Sequence, residues 1–196
     1  MNVDTARTRD AAGWARPGAG AGEGGRFRGY ASLFGRLDQG RDLIEPGAFA
    51  RALAKKGPGG IRMLFQHDPA QPIGRWLALR EDARGLFVEG VLSSGVGRAR
   101  EVRALIAEGA IDGLSIGFRT VRAARDPRRR VRRILEADLW EISVVTFPML
   151  TGARVEAIGP DSGAGAAPQT PLTAQSADLA GIIRAATFLI EGKEPQ

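Results

Sequence analysis

The sequence contains no cysteine and a single histidine, His67. The first absence removes disulfides and all thiolate chemistry, and it fits a reducing compartment. The second leaves one imidazole to serve as a base near neutral pH. No run of about 18 apolar residues is present, so no helix of membrane-spanning length is expected. The first 20 residues lack the apolar core of a signal peptide. Asp38, Asp42 and Glu45 lie close in sequence, but there is no second histidine and no calcium-loop spacing to make them a metal site.

The 196 residues, 43% of them hydrophobic, are enough for one domain with a sizeable core and tails. The net charge is +6 and most cations are arginine. That balance suits an anionic partner, and a GC-rich coding sequence explains it equally well. Residues 1–25 are rich in Gly, Ala and Arg without an apolar period and read as a disordered arm. Residues 26–158 form the dense region. Residues 159–178 read as a flexible linker, and 179–196 as a short C-terminal helix and tail, with Asp178 as N-cap.

Within the dense region, alternating or short apolar runs predict strands over residues 26–34, 61–66, 73–80, 85–92, 114–121 and 131–145. Pro46 opens a predicted helix that ends at the Gly57-Pro58-Gly59-Gly60 breaker. A second is predicted over 96–108, with Val102, Leu105 and Ile106 on one face and Gly109 as its stop. The expected fold is α+β but mainly β, a small antiparallel barrel with helical packing.

Ser115, forty-eight residues after His67, stands in the segment Gly113-Leu114-Ser115-Ile116-Gly117. A serine hydroxyl is a poor nucleophile until a base takes its proton, so Ser115 and His67 are the candidate pair. The pattern is unlike a nucleophile elbow: Ile116, Phe118 and Val121 lead into a strand rather than a helix, and no histidine follows the serine. A strand with small residues for close packing is the competing reading. Met63, Phe65 and His67 share strand parity, which puts His67 at the end of a half-buried face, beside a loop stiffened by Pro69 and Pro72. Asp68, Asp138 and Glu141 are the carboxylates able to orient the ring. Asp68 neighbours His67 and should point away. Glu141 lies in an apolar strand, with Ser143, on the face opposite Trp140, Ile142 and Val144. An unpaired charge there is costly to bury, so it pairs either with His67 or with one of the many arginines.

Eight arginines fall between Arg119 and Arg133. They separate two strand-like segments, include Asp126-Pro127, and have no aromatic among them for base stacking. A solvated hairpin tip is expected, and nucleic-acid binding is disfavoured.

Seven segments in register resemble the HK97-type phage prohead proteases: Gly29–Phe34, Glu45–Phe49, Gln66–Asp68, Pro72–Gly74, Gly85-Leu86, Ile111–Gly117 and Trp140–Pro148. The resemblance runs from about residue 28 to 150. It implies a serine endopeptidase related to herpesvirus assembly proteins, on a closed antiparallel-rich β-barrel flanked by helices. It implies no cofactor. The partners it implies are the major capsid protein or its scaffold, with self-cleavage as a further route, inside the assembling procapsid in the bacterial cytoplasm. Carried over by motif, His67 is the base and Ser115 the nucleophile. Herpesvirus relatives use a second histidine as third member; this chain has none, and Glu141 takes that place by position and chemistry. The tails match nothing in the family pattern. The competing function is a non-enzymatic, basic assembly factor that binds capsid protein or nucleic acid through the arginine hairpin.

Overall fold

The computed structural model describes residues 10, 12–18 and 24–160, which fall within a single unit spanning residues 1–163. Its strands are β1 (Arg26–Leu33), β2 (Asp42–Ile44), β3 (Arg62–Phe65), β4 (Asp68–Glu81), β5 (Gly85–Leu92), β6 (Gly113–Asp126), β7 (Val131–Val145) and β8 (Arg154–Gly159). Two helices, α1 (Ala50–Lys56) and α2 (Gly97–Glu108), interrupt them.

Seven strands close on themselves in the order β7-β3-β4-β5-β1-β8-β6, and β6 returns to β7. β2 lies beside the first part of β7. Only β2 and β3 run parallel to β7; the other pairs are antiparallel. The β6–β8 seam is the narrow one. It holds a single register pair, Gly113 opposite Arg154, flanked by Leu114 N–H to Ala153 O (2.9 Å) and Val155 N–H to Asp112 O (2.7 Å). The closed, antiparallel-rich barrel with flanking helices is thus the expected fold.

Inward side chains fill the barrel, as they must in one of this size. Phe27, Met63, Ile73, Trp76, Leu86, Val88, Leu114, Leu139, Ile142 and Val144 are all buried. Phe27 meets Trp76 edge to face at 5.6 Å. Each large apolar side chain buried in this way contributes about 1.5–3 kcal/mol relative to exposure.

α2 buries Ala99, Val102, Ile106 and Ala107. Leu105, expected on that face, is exposed, because at 100° per residue it falls on the flank of the Ala99–Val102–Ile106 stripe. Gly109 ends the helix in the left-handed region (φ 75°), and Ala110 N–H closes on Leu105 O at 2.8 Å. α1 starts at Ala50 rather than at Pro46. Gly47 sits at φ 86°, which breaks a helix before it propagates, so residues 46–49 are turns.

Three further expectations change. Pro69 and Pro72 belong to β4 rather than to a loop. Leu64 opposes Pro72 while Phe65 opposes Asp68, so residues 69–71 bulge out of the ladder, where proline's missing N–H costs nothing. The short β2, and β8 running through Gly159, lie outside the predicted strands. The reading of 1–25 as a disordered arm does not hold for Trp14 and Ala15, which are buried. Ala15 bridges Ile158 with two 2.8 Å hydrogen bonds, and the Arg28 guanidinium stacks 4.4 Å from the Trp14 ring. The rest of the proposed linker beyond Pro160 and the proposed helix of 179–190 lie outside the described residues.

A chain beginning at Arg26 is therefore expected to fold but to be less stable than the full chain, by roughly 1–3 kcal/mol, because Ile158 loses its backbone partner and the buried Trp14 ring is removed. Chemical denaturation of the two chains checks this; equal midpoints and slopes would show that Trp14 and Ala15 add nothing.

Candidate active site

β6 and β7 set the chemistry on their outer face. Ser115 opposes Ser143 and Gly117 opposes Glu141, so these four positions share one face of the pair. The other face carries Leu114, Ile116, Ile142 and Val144 into the barrel, all but Ile116 fully buried. A bulge keeps Glu141 outward. Gly117 pairs with Glu141 but Phe118 pairs with Leu139, which leaves Trp140 as the extra residue on β7. Leu139 is therefore buried while Trp140 and Glu141 both lie outside. This corrects the expected parity, in which Trp140 faced the same way as Ile142.

His67 reaches this face from β3. Gln66 and His67 form the two-residue connection between Phe65 and Asp68, with φ of 54° and 60°, the signs required of the central pair in a type I′ turn. Met63 faces the core, but the left-handed backbone ends strand alternation, so His67 does not continue the Met63–Phe65 face as predicted. The turn is held to β7 by Gln66 N–H to Val144 O (3.0 Å), Gln66 Nε2 to Thr146 Oγ1 (2.7 Å) and His67 N–H to Ser143 Oγ (3.0 Å). Two non-glycine residues in this region cost about 1–3 kcal/mol each, which these bonds offset.

The ring then meets its carboxylate. His67 Nδ1 lies 2.7 Å from Glu141 Oε1, and Ser143 Oγ donates to Glu141 Oε2 at 2.7 Å. A carboxylate only accepts, so Nδ1 carries the proton and Nε2 is the free base. The His67 side chain is 42% exposed and that of Glu141 only 13%. The Glu141 hydrogen bond raises the His67 pKa above the ordinary value near 6.5, partly opposed by burial of the ring. Gly117 is required by this geometry: a Cβ there would overlap Glu141 Oε1 and stand 2.8 Å from Cδ.

Ser115 is nearly buried and stands across the ladder from Ser143. Among the described residues, Ser115 and the His67 ring are not hydrogen-bonded to each other. The other carboxylates are engaged elsewhere. Asp68 Oδ1 accepts from Ala70 N–H at 2.8 Å. Asp138 takes Lys56 Nζ at 2.6 Å and Trp140 Nε1 at 2.9 Å, and the first of these chiefly holds its pKa below the usual carboxylate value.

The arginine run is the β6–β7 hairpin, with Arg128, Arg129 and Arg130 exposed in its turn. Asp126 Oδ1 accepts from Arg128 N–H and Arg129 N–H at 3.1 Å, and Arg41 Nε donates to Arg130 O at 2.8 Å. Arg132 pairs with Asp42, and Arg133 with Glu45 at 2.6 Å. Sequence reasoning did not assign roles to Gln66, Thr146, Gly117 and Ser143. The signal for Gly117 and Ser143 was their two-residue spacing from Ser115 and Glu141.

The family model of the caudovirus prohead serine proteases matches residues 16–163, and the chain belongs to that family. It is 39% identical over 145 residues to the prohead protease of Enterobacteria phage HK97, covering 71% of this chain and 62% of that protein. To the prohead protease of Escherichia phage T5 it is 31% identical over 125 residues, covering 63% and 58%. The chain thus spans about three fifths of the length of these curated relatives. The capsid assembly protease of bacteriophage T4 has a similar fold, at TM-score 0.51 and 14% identity, covering 61% of this chain and 80% of that one.

A single histidine makes the His67–Glu141 pair easy to titrate. Because the folded pKa is raised, the pair adds stability below the ordinary imidazole pKa and loses it as pH climbs through the folded value. In Glu141→Gln and in Gly117→Ala the NMR titration midpoint of His67 is expected to fall towards the ordinary value, while Asp138→Asn leaves it in place. A midpoint unchanged in Glu141→Gln would separate the ring from the carboxylate.

Proposed function

We propose that this chain is a serine endopeptidase that cuts the scaffold, or the scaffold-like N-terminal segment of the major capsid protein, inside an assembling phage prohead in the bacterial cytoplasm. The observation that carries this reading is the His67 Nδ1–Glu141 contact at 2.7 Å, on the strand face that also carries Ser115. Membership of the prohead serine protease family supports this choice of substrate.

The chemistry follows from the arrangement. Ser115 Oγ attacks the peptide carbonyl carbon while His67 Nε2 takes its proton. Glu141 stabilises the resulting imidazolium and keeps the ring's tautomer. The same proton passes to the leaving amine as the C–N bond breaks, leaving an acyl ester on Ser115. Water, deprotonated by the same nitrogen, then cleaves the ester. No cofactor enters. Because the base must be neutral, its raised pKa puts the acid limb of kcat/KM above the ordinary imidazole value.

The assembly-factor reading is weaker because Arg132 and Arg133 are committed to Asp42 and Glu45 within the fold. It is kept apart by experiment. Ser115→Ala and His67→Ala should each abolish cleavage of scaffold-bearing capsid protein while the protein stays folded, with losses approaching a million-fold as in the best-dissected triad. Near-normal processing by His67→Ala would end the hydrolase reading, since no replacement base exists. Glu141→Gln should cost roughly 10²–10⁴-fold, far more than Asp138→Asn.

Neutralising Arg128, Arg129 and Arg130 together should leave hydrolysis of a short peptide unchanged, since screened surface charge adds little. A collapse of peptide hydrolysis in that variant would make the hairpin part of the active site.

A further inference from the structure

We infer that Ser143 is a positioning residue for the proposed peptidase: its one hydroxyl fixes both the backbone of the base and the carboxylate behind it, directly opposite the nucleophile. The inference rests on the reading of Ser115 and His67 given above.

Ser143 is fully buried, with no exposed surface. A hydroxyl taken out of water costs about 1–3 kcal/mol unless it is hydrogen-bonded, and an apolar side chain would pack in a barrel wall without that cost. Here both functions of the hydroxyl are used. Its oxygen accepts from His67 N–H at 3.0 Å, and its proton goes to Glu141 Oε2 at 2.7 Å. Its register partners are Ser115 on β6 and Leu64 on β3. One atom therefore ties together the turn that carries the ring and the carboxylate that orients it, across the ladder from the nucleophile.

Each tie has a mechanical consequence. The His67 N–H belongs to a residue at φ 60°, a conformation that a side-chain-bearing residue leaves readily when nothing holds it. The Ser143 oxygen holds that N–H against β7, so the ring's starting point is fixed to the strand facing Ser115. On the carboxylate, Oε1 is held by the ring and Oε2 by Ser143. Two-point anchoring stops the carboxylate from rotating, and the ring, held at Nδ1, keeps Nε2 in one direction. A displacement of about 1 Å in such a constellation costs on the order of 100-fold in rate.

The test uses the full chain carrying Ser143→Ala or Ser143→Thr, with a peptide spanning a scaffold junction that the wild type cuts. In Ser143→Ala, kcat is expected to drop about 10- to 100-fold with KM within about two-fold, because substrate contacts are untouched. Ser143→Thr, which restores the hydroxyl, brings kcat back most of the way. With [15N]histidine labelling, the single Nδ1–H resonance should be sharp and downfield in the wild type and in Ser143→Thr, and broadened or lost in Ser143→Ala. Wild-type kcat and an intact Nδ1–H resonance in Ser143→Ala would overturn the inference, even if thermal stability fell, and would leave Ser143 as filling in the barrel wall. If the wild type and Ser115→Ala are equally unable to cut scaffold-bearing capsid protein, the peptidase reading fails instead, and the resonance still decides whether Ser143 positions the ring.

Discussion

β7 is the longest strand and pairs with three others: β6 runs along one edge, and β2 and β3 take separate parts of the other. Its inward residues Ile134, Leu139, Ile142 and Val144 are fully buried, and its outward residues Glu141 and Ser143 belong to the candidate site. Barrel packing and site geometry are therefore set by one backbone. A slip of one residue in the β6–β7 register would send Glu141 and Ser143 into an apolar interior and turn Ile142 out, so burial itself enforces the alignment of Ser115 with Ser143. The bulge at Trp140 is where two different registers meet.

The barrel was legible in the sequence because its strands carry the period of a half-buried sheet, and α2 because Val102, Ile106 and Gly109 stand at helical spacing before a left-handed stop. Ser115, His67 and Glu141 stood out by scarcity and context: one imidazole, one serine between glycines, one carboxylate in an apolar strand. What escaped were features without periodicity. The Gln66-His67 turn changes direction through two positive φ values with no glycine to mark them, so alternation counted from Met63 misplaced the ring. The Trp140 bulge is a single extra residue and shifts parity without a glycine to mark it. Trp14 and Ala15 pack although their surroundings have the composition of a disordered arm, because two residues suffice to cap a strand edge.

The charge distribution divides along the same lines. Many of the arginines that dominate the composition are structural: Arg132 and Arg133 tie the hairpin to Asp42 and Glu45, and Arg41 gathers the carbonyls of the turn. At the site the pattern reverses. Glu141 has a ring and a hydroxyl as partners instead of a guanidinium, and this leaves its charge available to the imidazole. A glutamate bonded to arginine in that place would already be neutralised and would raise the basicity of His67 much less.

The parallel β3–β7 pairing brings Leu64 beside Ser143, residues that lie far apart in the chain with two antiparallel hairpins and a helix between them. Local hairpins such as β4–β5 and β6–β7 close over short loops, whereas this contact must wait for the intervening chain to be ordered. The β6–β7 hairpin by itself aligns Ser115 with Ser143 and Gly117 with Glu141, whereas His67 joins them only through the docking of β3. The His67–Glu141 contact is thus a product of the closed topology and not of the β6–β7 hairpin alone: a hairpin-only chain would hold the carboxylate without its ring.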